Sequence, residues 1–329
     1  MKILICGGAG YIGSHIAKAA TEAGHQITIV DNLVTGHQES IAGLPFHQGD
    51  IGDLAFMESI FKANTYDFVM HFCAFSLVGE SVSDPASYYQ NNVGQTLNLL
   101  QAMKQTGHKR LVFSSSAAIY GNPEQETINE NHPKNPINPY GRSKWMVEQI
   151  LQDYAVSYGM DAVCLRYFNA AGADPSAIIG EKHNPETHLI PNILKSVASG
   201  GELALKVFGT DYPTPDGSCI RDYIHVNDLA SAHLLAGEYL QHNAGYHAFN
   251  LGIGKGFSVL DVIKAAEAIT GKTIAFETND RRPGDPPILV ADSTLAQDTL
   301  GWQPAYTDIE TIIETAWQWH KNRETFKPQ

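Results

Sequence analysis

A chain of 329 residues, 43% hydrophobic and 17% charged, has the composition of a folded globular protein and too much length for one small core. Its formal net charge of −13 argues against nucleic acid or an anionic membrane as partner, because both are polyanions. No apolar stretch reaches the about 18 residues of a membrane span, and Gly7, Gly8 and Gly10 interrupt the amino-terminal apolar run too early for a signal peptide. Four cysteines (Cys6, Cys73, Cys164, Cys219) form neither a CxxC pair nor a zinc spacing, which fits free thiols in a reducing compartment. A cytoplasmic location is expected.

Short apolar runs alternate with helical patterns through the first half, the signature of a parallel sheet covered on both faces. The runs are Lys2–Cys6, Gln26–Val30, Phe68–Phe72, Arg110–Ser114 and Ala162–Tyr167. Helices are expected over Gly13–Ala23, Leu54–Ala63, about Pro85 to Thr106, and about Tyr140 to Tyr158. The fold class is therefore α/β: a doubly wound, Rossmann-type parallel sheet with a second, smaller α/β substrate lobe. Residues 1–170 are assigned to the first unit and 171–329 mainly to the second, with part of 226–250 crossing back. Gly, Pro and Asp are dense in Ala171–Pro191, Gly209–Gly217 and Asp280–Pro287, which read as loops facing a shared cleft. Helical patterns return at Val226–Leu240, Val259–Thr270 and Thr307–Asn322.

Gly7, Gly10 and Gly13 form GxxGxxG directly after a strand and at the opening of a helix. Gly7 permits a tight turn, Gly10 lets the backbone approach a pyrophosphate, and Gly13 lets helix and strand pack closely; the helix N-terminus supplies N–H donors. Asp31 ends the next strand, 18 residues after Gly13, where an acid accepts hydrogen bonds from ribose hydroxyls and repels a 2′-phosphate. Asn32 follows instead of Arg, so NAD is favoured over NADP. Asp50 and Ile51 follow another expected strand end; an adenine contact and a helix-capping Asp are both open readings there.

Tyr140 and Lys144 form YxxxK within PYGRSK, one helical turn apart on one face. A tyrosine is a poor base at neutral pH unless cations lower its pKa, and Lys144 together with a positive nicotinamide is expected to do so. Ser114, Ser115 and Ser116 end the strand that should deliver a hydroxyl to the reacting alcohol. Fourteen histidines include no HExxH and no clustered ligand set in sequence, so no metal is expected, and His183 and His188 read as loop residues.

The segments GGAGYIGSH, DNL, HF…VGES, YYQNNV, FSSSAAIYG, PYGRSK, LRYFNAAGA and RDYIHVNDLA together resemble the UDP-glucose 4-epimerase family of extended short-chain dehydrogenase/reductases. The similarity runs from Met1 to about Trp319. It implies an isomerase that interconverts UDP-glucose and UDP-galactose through a 4-keto sugar with tightly bound NAD. It also implies roles residue by residue. Tyr140 matches the catalytic base and acid, Lys144 its partner, and Ser116 the hydroxyl assisting at O4. Besides these and the glycines, cofactor contacts fall on Tyr11, Ile12, Asp31, Asn32, Asp50, Ile51, Phe72, Cys73, Ala74, Asn91, Ser114 and Phe168. Substrate contacts fall on Asn169, His188, Leu189, Lys206, Val207, Phe208, Arg221 and Arg282, with Asp285 near the uridine ribose and Leu289 bordering the hexose pocket. The two arginines suit diphosphate ligands, since guanidinium matches phosphate geometry in an otherwise acidic chain; an ion pair with a neighbouring acid is the competing role.

Related 4,6-dehydratases carry an acidic pair just after the catalytic hydroxyl, where this chain has Ala117 and Ala118. UDP-arabinose or UDP-xylose 4-epimerases are closer alternatives. Leu97, Leu99, Leu100 and Met103 on one long helix, and Trp145, Met146, Val147, Ile150 and Leu151 on the other, are expected to supply a four-helix dimer contact beyond what the sheet covers.

Overall fold

The structure is a computed structural model that describes residues 1–282 and 285–325. Numbered along the chain, its strands begin with β1 (Lys2–Cys6), β2 (Gln26–Asp31), β3 (Phe46–Gln48), β4 (Phe68–His71), β5 (Arg110–Ser116), β6 (Thr127–Ile128) and β7 (Asp161–Tyr167). They continue with β8 (Asn169–Ala171), β9 (Leu205–Phe208), β10 (Ile220–His225), β11 (Tyr246–Leu251), β12 (Gly256–Ser258), β13 (Phe276–Asn279) and β14 (Ile288–Ala291).

Seven strands form one parallel sheet in the order β11-β7-β5-β4-β1-β2-β3. Four of the five residues of β1 are fully buried, because helices cover both faces and leave no solvated side to alternate with. On one face, helices Tyr11–Glu22 and Val226–Tyr239 pack over Ile3, Ile5, Ile29, Phe68 and Met70. On the other, Leu54–Ala63, Thr96–Thr106 and Pro139–Tyr158 cover Leu4, Cys6, Val69, Phe113 and Cys164.

Two differences from the sequence reading matter for the site. The expected helix from Pro85 to Thr106 is continuous in path, but Gln90–Gln95 takes a π-helical turn that aims the buried Asn91 and Asn92 inward. The loop-like second half also holds more regular structure than its composition suggests: a sheet ordered β12-β10-β14-β6 with β8 on β10, a β9–β13 pair, and helices Leu189–Ala198 and Thr294–Leu300. These strands are short and punctuated by glycine and proline, so they carry little periodic signal. The Pro283–Gly284 part of the expected loop Asp280–Pro287 lies outside the described residues.

Helices Leu189–Ala198, Val259–Thr270 and Ile309–Thr325 enclose a separate core around Ile193, Val207, Val262, Ile312 and Ile313. A small cluster of Ala117, Ile119, Tyr120 and Ile128, joined by Trp145, Phe168 and Leu289, lies between this lobe and the main sheet.

Candidate active site

Parallel register puts Cys6 level with both Val30 and His71, and His71 level with Phe113. The segments after these strands therefore emerge together at the carboxyl edge of the sheet, where doubly wound folds bind ligands. Gly7 turns there at φ 82°, and a Cβ on it would strike the backbone of Phe72 and Cys73 at 2.7 and 2.8 Å. A Cβ on Gly13 would lie 2.2 Å from the Gly7 carbonyl oxygen, so helix Tyr11–Glu22 starts hard against the turn. Gly10 caps that helix without any side chain on the first-turn N–H groups, and its Cβ direction meets only the Gly7 carbonyl oxygen, at 3.5 Å. A helix N-terminus with bare donors and an approachable glycine fits a dinucleotide pyrophosphate.

Asp31 is buried at the end of β2, with Oδ2 accepting from Ala9 N at 2.9 Å and Oδ1 from Leu33 N at 2.8 Å. Burial raises its pKa and these two donors oppose the rise. Each oxygen retains acceptor capacity for a ribose hydroxyl. Asn32 Nδ2 donates to Asp50 at 2.8 Å, and Asp50 accepts from Gly52 N at 2.7 Å, which holds the two polar residues as a pair. Ile51 is buried in the core at 2% exposure, so its side chain faces no ligand. Phe72, Cys73 and Ala74 follow β4 as a partly buried wall, and Tyr11 points its hydroxyl at the Gly172 carbonyl oxygen, 2.7 Å away.

Ser116, Tyr140 and Lys144 come together as the motif spacing requires. Asn138 caps helix Pro139–Tyr158 by accepting from Gly141 N at 2.8 Å, and Pro139 opens its first turn. A Cβ on Gly141 would meet the Ala118 carbonyl oxygen at 2.4 Å; that closeness seats Tyr140 beside the turn after β5. The Ser116 hydroxyl lies close enough to the Tyr140 phenol to favour its ionised form. Lys144 is 3% exposed, donates to the Ser114 carbonyl oxygen at 2.7 Å, and has its ammonium 5.9 Å from the Tyr140 ring centre.

Burial raises the Tyr140 pKa, and the nearby Ser116 hydroxyl only partly offsets this. Burial likewise pulls the Lys144 ammonium down, to about 7.

The substrate side is more mixed. Asn169 on β8 pairs with Tyr223 of β10, and Leu289 on β14 lies in register with Arg221 while packing, as Phe168 and Trp145 do, against the cluster of Ala117, Ile119, Tyr120 and Ile128. Arg221, 8% exposed, forms an ion pair with Asp285 and not with the adjacent Asp222, which instead accepts from Ile253, Gly254 and Ala291 N–H. Phe208 carries the Arg282 guanidinium 4.0 Å above its ring. Two side chains point elsewhere: Val207 is 1% exposed in the smaller lobe's core, and Lys206, its neighbour on β9, faces solvent. Leu189 opens helix Leu189–Ala198 and packs against the same core. His188 precedes it, with Nδ1 2.5 Å from Glu181. Burial pulls His188 down, but Glu181 and Glu186 override this and push it up to about 10.

Three features escaped the sequence reading. Glu148, fully buried one turn beyond Lys144, takes the Arg166 guanidinium at 2.6 Å, the Ser115 hydroxyl at 2.5 Å and the Tyr246 hydroxyl at 2.7 Å. Its position four residues after Lys144, on the same helix face, was the available signal. Asn92 links the Phe75 backbone to Ser143, accepting from Phe75 N at 2.9 Å and donating to Phe75 O and Ser143 Oγ at 3.0 Å. Lastly, His183 and His188, in the loop expected for them, come together with Glu181 and Glu186.

The model of the NAD dependent epimerase/dehydratase family matches residues 3–252. A UDP-glucose 4-epimerase of Lacticaseibacillus casei is 50% identical over 323 residues, covering 98% of this chain and 97% of the relative. One from Halalkalibacterium halodurans is 51% identical over 321 residues, covering 98% and 96%. The crystal structure of the Brucella ovis UDP-glucose 4-epimerase in complex with NAD superposes with a TM-score of 0.93 at 49% identity, over 96% of this chain and 97% of that one. The chain belongs to the NAD dependent epimerase/dehydratase family and, within it, to the UDP-glucose 4-epimerases.

Proposed function

We propose, starting from that family membership, that this protein reversibly inverts C4 of UDP-glucose and UDP-galactose with NAD held through turnover. The observation that carries the reading is the convergence of Tyr140, Ser116 and a buried Lys144 at the carboxyl edge of a glycine-turn sheet. Gly7–Gly13, Asp31, Asn32, Asp50, Phe72–Ala74, Asn91, Ser114 and Lys144 would hold NAD, which would supply a reversible hydride acceptor.

Tyr140 takes the proton of the sugar 4-OH and later returns one to the 4-keto oxygen. Ser116 holds that oxygen in line with the phenol. Lys144 keeps Tyr140 and the strand end in fixed relation through Ser114. Arg221 and Arg282 anchor the diphosphate while the keto sugar turns over and presents its other face. The alanines after Ser116, in the turn Ala117–Ile119, provide no acid for elimination and so disfavour a dehydratase.

A cytoplasmic homodimer completes the proposal. Leu99, Leu100, Met103, Val147 and Leu151 are fully buried within the monomer, so the contact falls to the residues left outside, Leu97 at 39% and Met146 at 41% exposure. Among the described residues no helix is long and apolar enough to cross a membrane. The decisive assay is conversion of UDP-galactose to UDP-glucose by purified protein with no added NAD, with cofactor absorbance followed in parallel. A requirement for added NAD, or no conversion at all, overturns the reading.

A further inference from the structure

The segment from Asp174 to His188 leads from β8 to helix Leu189–Ala198 and turns four metal-ligand side chains onto one point. His183 Nδ1 lies 3.0 Å and His188 Nδ1 2.5 Å from the same oxygen of Glu181. Glu186 adds a second carboxylate, with Oε1 3.5 Å from His188 Nδ1 and Oε2 3.9 Å from His183 Nδ1. One donor atom from each of the four lies within 4.8 Å of every other, the only such group among the described residues.

Two further facts separate this cluster from an ordinary ion pair. The Glu186 side chain is 2% exposed and its Oε2 has no hydrogen-bond partner, while Oε1 is held by the N–H groups of Thr187 and His188 at 2.9 and 3.0 Å. A buried carboxylate oxygen left unpartnered costs stability and calls for a counter-charge. A proton on one imidazole balances only one of the two carboxylates; a divalent cation between neutral imidazoles balances both.

We propose that Glu181, His183, Glu186 and His188 bind a first-row divalent cation, zinc by their donor chemistry, in a closed structural site. Two imidazole nitrogens and two carboxylate oxygens suit four-coordinate zinc, and a complete protein donor set leaves no position open for catalysis. The site braces the connection between the lobes. His183 meets the Tyr11 ring edge-on at 6.2 Å between centres, and His188 directly precedes helix Leu189–Ala198, whose start no side chain caps. The inference rests on these four donors and not on the sugar reaction, and it puts on a metal the His188 side chain to which the family resemblance gives a substrate contact.

The test is zinc binding by the holoenzyme after dialysis against a chelator, read by calorimetry, metal content and X-ray absorption at the zinc edge. We expect one zinc per chain, a shell of two imidazole nitrogens and two oxygens, and a higher Tm with zinc. His183→Ala and Glu186→Gln should weaken binding by more than about 100-fold, beyond the usual cost of losing a supporting group. His47→Ala, an exposed histidine elsewhere, should bind as wild type does. Bound NAD and far-UV circular dichroism report whether each variant is folded. Absence of stoichiometric zinc, a sulfur-containing shell, or wild-type affinity in folded His183→Ala and Glu186→Gln proteins overturns the proposal; the absorption spectrum of the unaltered protein decides even if a variant does not fold.

Discussion

Lys144 donates to the Ser114 carbonyl oxygen at 2.7 Å and to its hydroxyl at 3.3 Å, so the lysine is anchored to the strand that presents Ser116. Burial holds its pKa at about 7 against an ordinary 10.5. A base with a depressed folded pKa binds fewer protons folded than unfolded, so it penalises the fold fully below pH 7, with relief as pH rises toward 10.5. Relative to wild type, Lys144→Met in cofactor-stripped protein should be more stable at pH 6 than at pH 10. The change should reach a few kcal/mol, at about 1.4 kcal/mol per pKa unit. Urea unfolding at several pH values reads it, and a pH-independent difference contradicts it.

Tyr140→Phe should cut kcat by about 10²–10⁴-fold while NAD stays bound, since the ring still packs but carries no proton. Ser116→Ala should lose less, because it removes one hydrogen bond and no proton carrier. Turnover of UDP-galactose, with cofactor content as control, separates the two. Near-wild-type turnover by Tyr140→Phe would remove tyrosine from the chemistry.

The Glu148 carboxylate is fully enclosed and depends on Arg166. Arg166→Met should therefore destabilise by about 3–5 kcal/mol, the usual cost of stranding one buried charge. Glu148→Gln combined with Arg166→Met should cost less than the two single changes added together. Strict additivity in chemical denaturation would mean that the pair does not act as a unit.

Leu289 packs against the same small cluster as Phe168 and Trp145, in register with Arg221, and is bulkier than Cys or Ser but shorter than Tyr. A misfit of a few atoms costs about 1–3 kcal/mol in a pocket. UDP-galactose and UDP-glucose should be the main substrates, with slower turnover of UDP-N-acetylgalactosamine that falls further in Leu289→Tyr. An unchanged kcat/KM ratio between the sugars in that variant rules Leu289 out as the gate.

Met146→Glu with Leu97→Glu should convert a micromolar dimer to monomer in sedimentation velocity, with activity per chain retained within a few-fold. A wild-type protein that already sediments as a monomer refutes the dimer.

The cofactor half was legible because its signals are local. A glycine turn, an acid at a strand end and YxxxK each specify backbone positions within one element, and Gly7, Asp31 and Tyr140 sit where those rules put them. Residues whose role depends on distant partners were not legible. Arg221 reads as paired to Asp222 by adjacency, yet strand β10 points Asp222 inward and leaves Arg221 to an acid 64 residues away. Val207 and Lys206 show the same limit: alternation along β9 decides which faces the core, and nothing in the local pattern says which face meets the cleft. The Glu181–His188 cluster has uneven spacings that match no metal motif, so only the folded loop gathers it.

Strand β11 completes the main sheet by pairing with β7, although 78 residues separate Tyr167 from Tyr246. During synthesis at about 5–20 residues per second, the last residue of β7 is made about 4–17 seconds before the last residue of β11. Throughout that delay β7 offers an open edge lined by Val163 and Leu165, the kind of surface on which a second nascent chain can template itself. Slow stretches of the message between the codons for Tyr167 and Tyr246 would lengthen the exposure, so misassembly of this protein should respond to translation speed there more than anywhere earlier in the chain.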